Sequence, residues 1–462
     1  MSAAVIPIVD PDLIAKYDQA GPRYTSYPTA PQFHEGFTRE NLRAEIARTN
    51  ALTGPPPLSL YFHLPFCESV CLFCGCNVTW TRDRQRPAPY TDLLLREMDA
   101  LAPQLAPGRR VVQLHWGGGT PTFFSPEQLS FLAAEIRRRF EFAPGAEIGL
   151  EVDPRETSTA HMDALADAGF NRLSMGVQDF DPQVQEAVNR LQSFDMTRRV
   201  VEEGRARGFK SISVDLIYGL PHQSEPGFAR TLDQILSLNP DRIALFNFAY
   251  LPEMIRHQKA IRPDTLPTPP EKLRILRRAI TTFTDAGYRF IGMDHFARPD
   301  DSMARAQDEG RLYRNFQGYT THAGCDLYAF GVSAISQIGR TYSQNLKDIH
   351  SYGEAIGQNG LATHRGLILS DEDLLRRGVI MHLLCHFSLD FAAIEKASGL
   401  RFTEHFAEAL ERLREMRADG LVAWDDRELR ITPLGRLLAR NIVMAFDAYL
   451  RPGAFSRFSR TV

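Results

Sequence analysis

Four cysteines fall within ten residues: Cys67, Cys71, Cys74 and Cys76, in the run Phe66-Cys-Glu-Ser-Val-Cys-Leu-Phe-Cys-Gly-Cys-Asn77. Only Cys325 and Cys385 lie elsewhere. Thiolates this close in sequence can converge on one metal centre, and soft sulfur ligands favour iron–sulfur clusters or zinc. The first three have the spacing C-x3-C-x2-C. Three ligands on a four-iron cube leave one iron open for chemistry. Structural zinc sites use two separated C-x2-C knuckles that approach a tetrahedron from two sides. A single compact loop fits that geometry poorly.

Two further features could do chemistry. Trp116-Gly117-Gly118-Gly119-Thr120-Pro121-Thr122 holds three consecutive glycines, which allow backbone to approach a ligand closely; an isolated triplet would equally serve as a flexible turn. Polar residues also follow apolar runs: Glu151 and Asp153, then Gln178 and Asp179, with Asp215 interrupting a fifth run. Each alone could be a cap. As a ring on one rim they would furnish an active site. No Ser–His–Asp set, P-loop or carboxylate pair competes.

The elements that must position these residues are legible as apolar runs alternating with helix-patterned stretches. Candidate strands are Leu58–Leu64, Val111–Trp116, Glu147–Val152, Arg172–Val177, Ile212–Tyr218 and Arg242–Phe248. Near-continuous hydrophobic runs suit parallel strands covered on both faces. Between them, Tyr90, Leu94, Met98, Leu101 and Leu105 recur at helical spacing. Ser125-Pro-Glu-Gln128 offers a capping box with proline at the first helical position. A small repeat punctuates the pattern: Asp167-Ala-Gly-Phe170, Ala206-Arg-Gly-Phe209 and Asp285-Ala-Gly-Tyr288 each put a helix-stopping glycine before an aromatic. The fold class is α/β, a (β/α) barrel or a doubly wound sheet, and active sites of such folds lie at the carboxyl ends of the strands, where the cysteines stand.

Past residue 364 the pattern changes. Asp371–Leu384, Phe402–Arg417 and Leu434–Leu450 read as helices, and residues 420–431 as a hairpin. The expected organisation is an N-terminal arm (1–55), a barrel domain with extension (56–364) and a mainly helical, winged-helix-like domain (365–462). No basic recognition helix accompanies it, so nucleic acid is not an expected partner. The 462 residues carry a formal net charge of −3. No apolar run reaches the roughly 18 residues of a membrane helix, and Met1–Asp10 lacks the pattern of a signal peptide. Clustered cysteines without that signal imply a reducing cytoplasm.

The C-x3-C-x2-C run, with Phe73 before its third cysteine, resembles the radical S-adenosylmethionine superfamily, and Gly117-Gly-Gly-Thr-Pro121 resembles its methionine-amine-binding motif. The match narrows with Arg23-Tyr-Thr-Ser-Tyr-Pro-Thr-Ala30, Tyr61-Phe-His-Leu-Pro-Phe-Cys67, Glu151-Val-Asp-Pro-Arg-Glu156, Met175-Gly-Val-Gln-Asp-Phe180, Val214–Pro221, Gly292–Ala297, Asn315–Thr321 and the terminal Phe458-Ser-Arg460. Together they resemble the oxygen-independent coproporphyrinogen III oxidases over essentially the whole chain. The resemblance implies a partial (β/α)6 TIM-like barrel in which Cys67, Cys71 and Cys74 hold a [4Fe–4S] cluster. Its open iron would take the amine and carboxylate of S-adenosylmethionine. Tyr61, Phe73, Gly118 and Glu151, with Ile335 nearby, would contact this molecule. Gly119, Thr120, Gln178, Arg190, Asp215 and Ala249 would hold a second S-adenosylmethionine. The implied reaction converts the ring A and B propionates of coproporphyrinogen III to vinyl groups through a 5′-deoxyadenosyl radical, giving protoporphyrinogen IX for haem biosynthesis. A reductant such as flavodoxin would supply the electron to a monomeric enzyme.

Cys76 is expected outside the ligand set, because a fourth thiolate would close the open iron; the family pattern retains it, which implies a supporting role in turnover. His63 is either a proton donor or substrate contact, or a histidine packed on its strand. Cys325 and Cys385 read as free thiols. The run Thr321-His-Ala-Gly-Cys-Asp-Leu-Tyr328 departs from the family pattern, which has glutamine at position 322 and no cysteine near 325. Two relatives compete: a non-enzymatic haem-trafficking protein, which lacks the Arg23–Pro28 motif and Cys76, and a haem-opening radical methyltransferase, disfavoured by the 292–297 and 315–321 motifs.

Overall fold

The computed structural model describes residues 11–450, so Met1–Asp10 and the Phe458-Ser-Arg460 motif lie outside the described residues. Twelve strands form one mixed sheet. Its centre is six parallel strands in chain order: β1 (Leu58–Leu64), β2 (Val111–Gly118), β3 (Phe142–Val152), β4 (Arg172–Gln178), β5 (Ser211–Tyr218) and β6 (Arg242–Asn247). These are the six expected runs. Beyond β6 lie β7 (Arg289–Gly292) and β8 (His295–Ala297), antiparallel, with β8 pairing to β6. Beyond β1 the sheet continues through β9 (Asp326–Phe330), which is parallel to β1. It then passes through β10 (Ile335–Ile338), β11 (Thr341–Asn345) and β12 (Thr363–Ile368) as an antiparallel meander. The strand order is thus linear, with β12 and β7 at its two ends. It is the α/β architecture of an open, partial barrel.

Local chemistry explains the crossovers. Ser125 accepts from the Gln128 amide while the Gln128 side chain accepts from the Ser125 amide, so the helix Pro126–Arg139 begins where its sequence predicts. Gly169, Gly208 and Gly287 adopt φ of +86°, +80° and +86°. In each copy the aromatic amide returns to a carbonyl five residues back, as Phe170 N–H does to Leu165 O. Phe170, Phe209 and Tyr288 are buried at the entry to the next strand. One residue type ends the helix and the next anchors the chain on the core.

The arm is not peripheral. Tyr24 and Tyr27 are 1% and 0% exposed and belong to the same hydrophobic core as the barrel strands and the C-terminal segment. Tyr24 OH donates to Asp447 Oδ2 (2.9 Å), and Arg440 Nε donates to Pro22 O (2.7 Å). The C-terminal region differs from expectation in detail. Phe402–Arg417 breaks into three short helices, Phe402–His405, Ala407–Arg412 and Arg414–Ala418. Leu434–Leu450 is a short α-helix, Ala439–Val443, between two 3₁₀ turns. Residues 438–444 are buried all round, so packing rather than an amphipathic period sets their conformation. The 420–431 hairpin forms and gains a third strand, Ser388–Asp390. The boundary expected between 364 and 365 falls inside β12.

One buried ion pair pins the added strand β9. Arg109 Nη2 lies 2.5 Å from Asp326 Oδ2, with side chains 0% and 4% exposed, and Asp326 Oδ1 accepts from the Gly339 amide. Removing one partner leaves the other charge buried and unpaired. Asp326→Ala should therefore cost about 3–5 kcal/mol in chemical denaturation.

Candidate active site

The three glycines at the end of β2, Gly117 and Gly118 within it and Gly119 just beyond, answer to three separate neighbours. A Cβ on Gly117 would stand 3.0 Å from the Glu151 carboxyl. Gly118 has φ +117°, and a Cβ there would stand 2.8 Å from the His63 ring. On Gly119 it would meet Phe66 O at 2.5 Å and Pro65 at 2.7 Å. The close approach expected of a ligand is thus made first to the chain itself. The end of β2 is pressed against the base of the cysteine loop.

That loop is closed by two short parallel strands, Phe66–Cys67 and Thr79–Trp80. The loop is tied from three directions. Leu72 N–H donates to Val188 O, His257 Nε2 to Cys74 O (2.7 Å), and Asn77 Nδ2 to Lys347 O (3.1 Å). His63 adds a fourth tie. Its Nε2 faces Asn77 O at 2.8 Å; a carbonyl only accepts, so Nε2 carries the proton and Nδ1 accepts from Tyr61 OH (3.1 Å). Burial pushes the His63 pKa down. Packing accounts for both ring nitrogens, and His63 also lines a cavity next to Cys76 and Glu151.

Cys67, Cys71 and Cys74 line one side of a cavity of about 190 Å³. Burial pushes the Cys67 thiol up to about 12. Cys74 is held down to about 7 by a hydrogen bond from the Cys76 thiol, which keeps Cys76 protonated well above its usual range. Arg155 Nη2 (3.3 Å) and Arg190 Nη1 (3.4 Å) both donate to Cys71 Sγ. Asp153 bridges the two guanidiniums at 2.7 and 3.0 Å. Burial opposes ionisation of Asp153, yet Arg190 and Arg155 hold it down to about 2. Among the described residues no three His, Cys, Asp or Glu side chains close on a single-ion position. Three thiols around one cavity, with hydrogen-bond donors on one sulfur, instead fit a cluster whose irons sit at separate corners.

The same cavity takes in Phe73, Cys76, Gly118, Gly119, Thr120, Glu151, Gln178, Arg190 and Asp215. Tyr61, His63 and Ile335 line a second cavity, of about 300 Å³, which shares Cys76, Gly118 and Glu151 with the first. Ala249 alone of the expected residues lines neither; its carbonyl accepts from Gln258 Nε2 at 3.1 Å. A third cavity, of about 220 Å³, lies in the barrel lumen and also reaches Glu151 and Asp215. Glu151 is disfavoured as an anion by burial, but bonds from His115 Nε2 and the Gly118 amide keep its pKa below the ordinary carboxyl value. Asp215 goes the other way: burial, then the charge of Glu151, raise it to about 7. A carboxyl raised on folding binds more protons folded than unfolded. Its contribution is therefore fully present at low pH and is lost as pH rises to about 7. Asp215→Asn should flatten the fall in melting temperature of the cluster-free protein between about pH 4 and 7.

Several site residues were not selected from sequence. Arg155 lies four residues past Glu151 in a quoted motif, but only the fold brings it to Cys71. His115 alternates with apolar residues in β2 and stacks parallel to Tyr61 at 6.2 Å. Phe316 and Gln317, at the tip of a hairpin, line the second cavity. Arg155 and the Phe316–Gln317 pair thus lay inside motifs legible in the sequence, whereas His115 carried no such signal. Cys385 is buried and Cys325 partly so, and His322 lines none of the three cavities.

Comparison with known proteins agrees with this geometry. Residues 61–235 match the radical SAM superfamily and residues 369–438 the HemN C-terminal domain. The oxygen-independent coproporphyrinogen III oxidase of Pseudomonas aeruginosa is 49% identical, covering 98% of both chains. That of Escherichia coli is 49% identical, covering 97% of this chain and 98% of its own. The solved structure of the Escherichia coli coproporphyrinogen III oxidase HemN, described as a radical SAM enzyme, superposes with a TM-score of 0.91 at 47% identity, covering 96% of this chain and all of that one. Helix lengths give no membrane span: among the described residues none is long and apolar enough to cross one. With this identity over nearly the full length, the chain belongs to the family of oxygen-independent coproporphyrinogen III oxidases, within the radical SAM superfamily.

Proposed function

We propose that the chain carries out the anaerobic oxidative decarboxylation of coproporphyrinogen III, converting the ring A and B propionates to vinyl groups and giving protoporphyrinogen IX. The observation that carries this reading is the meeting of Cys67, Cys71 and Cys74 with Gly118, Glu151, Arg190 and Asp215 around one cavity. A [4Fe–4S] cluster and S-adenosylmethionine bound there would supply the radical chemistry that removes hydrogen from a propionate. The protein's own work is positioning and charge. Cys67, Cys71 and Cys74 would hold the cluster, and the hydrogen bonds on the loop fix the loop against the barrel. Arg155 and Arg190 donate to Cys71 sulfur and offset the thiolate charge. Glu151 faces the space common to all three cavities and suits the cofactor's ribose hydroxyls or amine.

The finer assignments follow the same geometry. Tyr61, Phe73, Gly118, Glu151 and Ile335 serve the first S-adenosylmethionine. Gly119, Thr120, Gln178, Arg190 and Asp215 serve a second, with Ala249 the weakest member because it faces none of the cavities. The enzyme acts as a monomer in the cytoplasm and takes its electron from an external donor such as flavodoxin. The test is anaerobic turnover. The reconstituted protein with reductant, S-adenosylmethionine and coproporphyrinogen III should yield protoporphyrinogen and 5′-deoxyadenosine. An intact cluster without vinyl product would sink the reading.

A further inference from the structure

The lumen cavity is lined by the carboxyls of Glu147, Glu151 and Asp215 and the guanidiniums of Arg172 and Arg242, with His295, Phe246 and Tyr319 on one wall. Glu147 pairs with Arg172 and Arg242 with Asp301. Beside that wall, outside the lining itself, stand two guanidiniums that pair with no carboxylate among the described residues. Arg314 is 5% exposed and lies over the Tyr319 ring at 4.9 Å. Its Nε and Nη2 donate to the carbonyls of Tyr24 and Arg23, while its Nη1 is buried without an acceptor. Arg23, from the arm, lies over the Phe246 ring at 5.7 Å and donates once, to Asn247 O. Between them is His295, edge-on to Phe246 (5.8 Å) and to Tyr319 (5.2 Å), with a buried Nδ1 that has no partner. Burial and the charges of Arg314, Arg242 and Arg23 push its pKa down to about 3, so it is neutral.

A buried guanidinium without a counter-charge is costly, and a buried N–H without an acceptor costs again. Arg314 meets both conditions and the partly buried Arg23 stands beside it; two cations around one neutral histidine are explained if a ligand brings the missing anion. We infer that Arg23, Arg314 and His295 form a carboxylate subsite that receives a propionate of the substrate when it enters the lumen. This rests on the reading of the chain as a coproporphyrinogen oxidase. The substrate is a tetracarboxylate, so propionates that are not reacting need counter-charges away from the cluster. The Cys67–Cys74 loop faces the first cavity, not this wall. The arm residue Arg23 then senses substrate directly, and Arg314 both binds the anion and holds the arm through the carbonyls of Arg23 and Tyr24.

The other source of a carboxylate is S-adenosylmethionine, and the experiment separates the two. The full chain is reconstituted with its cluster as wild type, Arg23→Gln, Arg314→Gln and Arg314→Lys. For each, the KM for coproporphyrinogen III, the affinity for S-adenosylmethionine, and binding of a porphyrinogen whose four propionates are methylamides are measured. Loss of one charge-assisted hydrogen bond predicts a rise in KM of about tenfold or more in both Gln variants. Arg314→Lys should recover part of it, S-adenosylmethionine affinity should hold, and the tetraamide should bind all four proteins alike. An unchanged KM overturns the inference. So does an equal loss for tetraacid and tetraamide, which would mark a purely structural role, and so does a loss confined to S-adenosylmethionine. Wild type that turns over beside indifferent variants refutes this subsite alone, whereas wild type that makes no vinyl product refutes the functional reading beneath it.

Discussion

Cys67→Ser, Cys71→Ser and Cys74→Ser should each emerge from anaerobic reconstitution without a stable four-iron cluster and with turnover at background. Cys76→Ser should keep the cluster absorbance and iron content yet lose roughly 10- to 100-fold in turnover, the range typical of groups supporting a metal site. The distinction follows from position. The first three thiols ring one cavity, but Cys76 lies on the boundary between the first and second cavities and shares its proton with Cys74. A serine at 76 retains the donor and weakens only the sulfur chemistry. A Cys76→Ser protein that fails to assemble the cluster would show that the ligand set is miscounted, and full activity would show that the residue is dispensable.

Gly119→Ala is the second large effect. The added methyl would lie 2.5 Å from Phe66 O and 2.7 Å from Pro65, both backbone, so no side chain can swing away. Gly119 N–H also donates to Leu64 O, and Thr120 N–H to Phe66 O, so the contact cannot open without breaking the seam that seats the cysteine loop. Overpacking of this kind costs about 1–3 kcal/mol. A displacement near 1 Å at the reacting geometry can cost about 100-fold in rate. The expected outcome is a folded protein of slightly lower melting temperature with turnover reduced on the order of 100-fold. Gly357→Ala is the matched control. Nothing lies within 4 Å of its Cβ, and it sits in the helix Ile349–Asn359, so stability should be unchanged or rise by about 0.5–1 kcal/mol.

What the sequence discloses here follows from how far apart the interacting residues are. Strands β1 to β6 are readable because their burial is continuous, and the glycine–aromatic stops because each is a local six-residue motif. The cysteine ligands and the glycine triplet stand in short linear runs. By contrast, β9 runs Asp326-Leu-Tyr-Ala-Phe330 and is fully buried, but its leading aspartate disguises it: that charge is paid for by Arg109, 217 residues away. Arg155, His115 and the Arg23–Arg314–His295 group acquire meaning only when separate strands and the arm are set side by side. The second cavity's Phe316 and Gln317 lie on a hairpin of three-residue strands, too short to show alternation. In the C-terminal region, hydrophobic content pointed to one long helix in Leu434–Leu450, whereas packing on every side divided it.

The seam between arm and C-terminal segment has a consequence for how the molecule is made. Tyr24 is bound by Asp447, 423 residues later, and Arg440 reaches back 418 residues to Pro22. During synthesis the arm leaves the ribosome first, and its partners leave last. The parallel strands can pair as they emerge, but residues 21–28 have no completed berth until the final helical turns arrive. Docking of the arm on Arg440 and Asp447 therefore waits for the C-terminal segment to be made. A chain released before Asp447 would keep its barrel strands while leaving Tyr24 unmated.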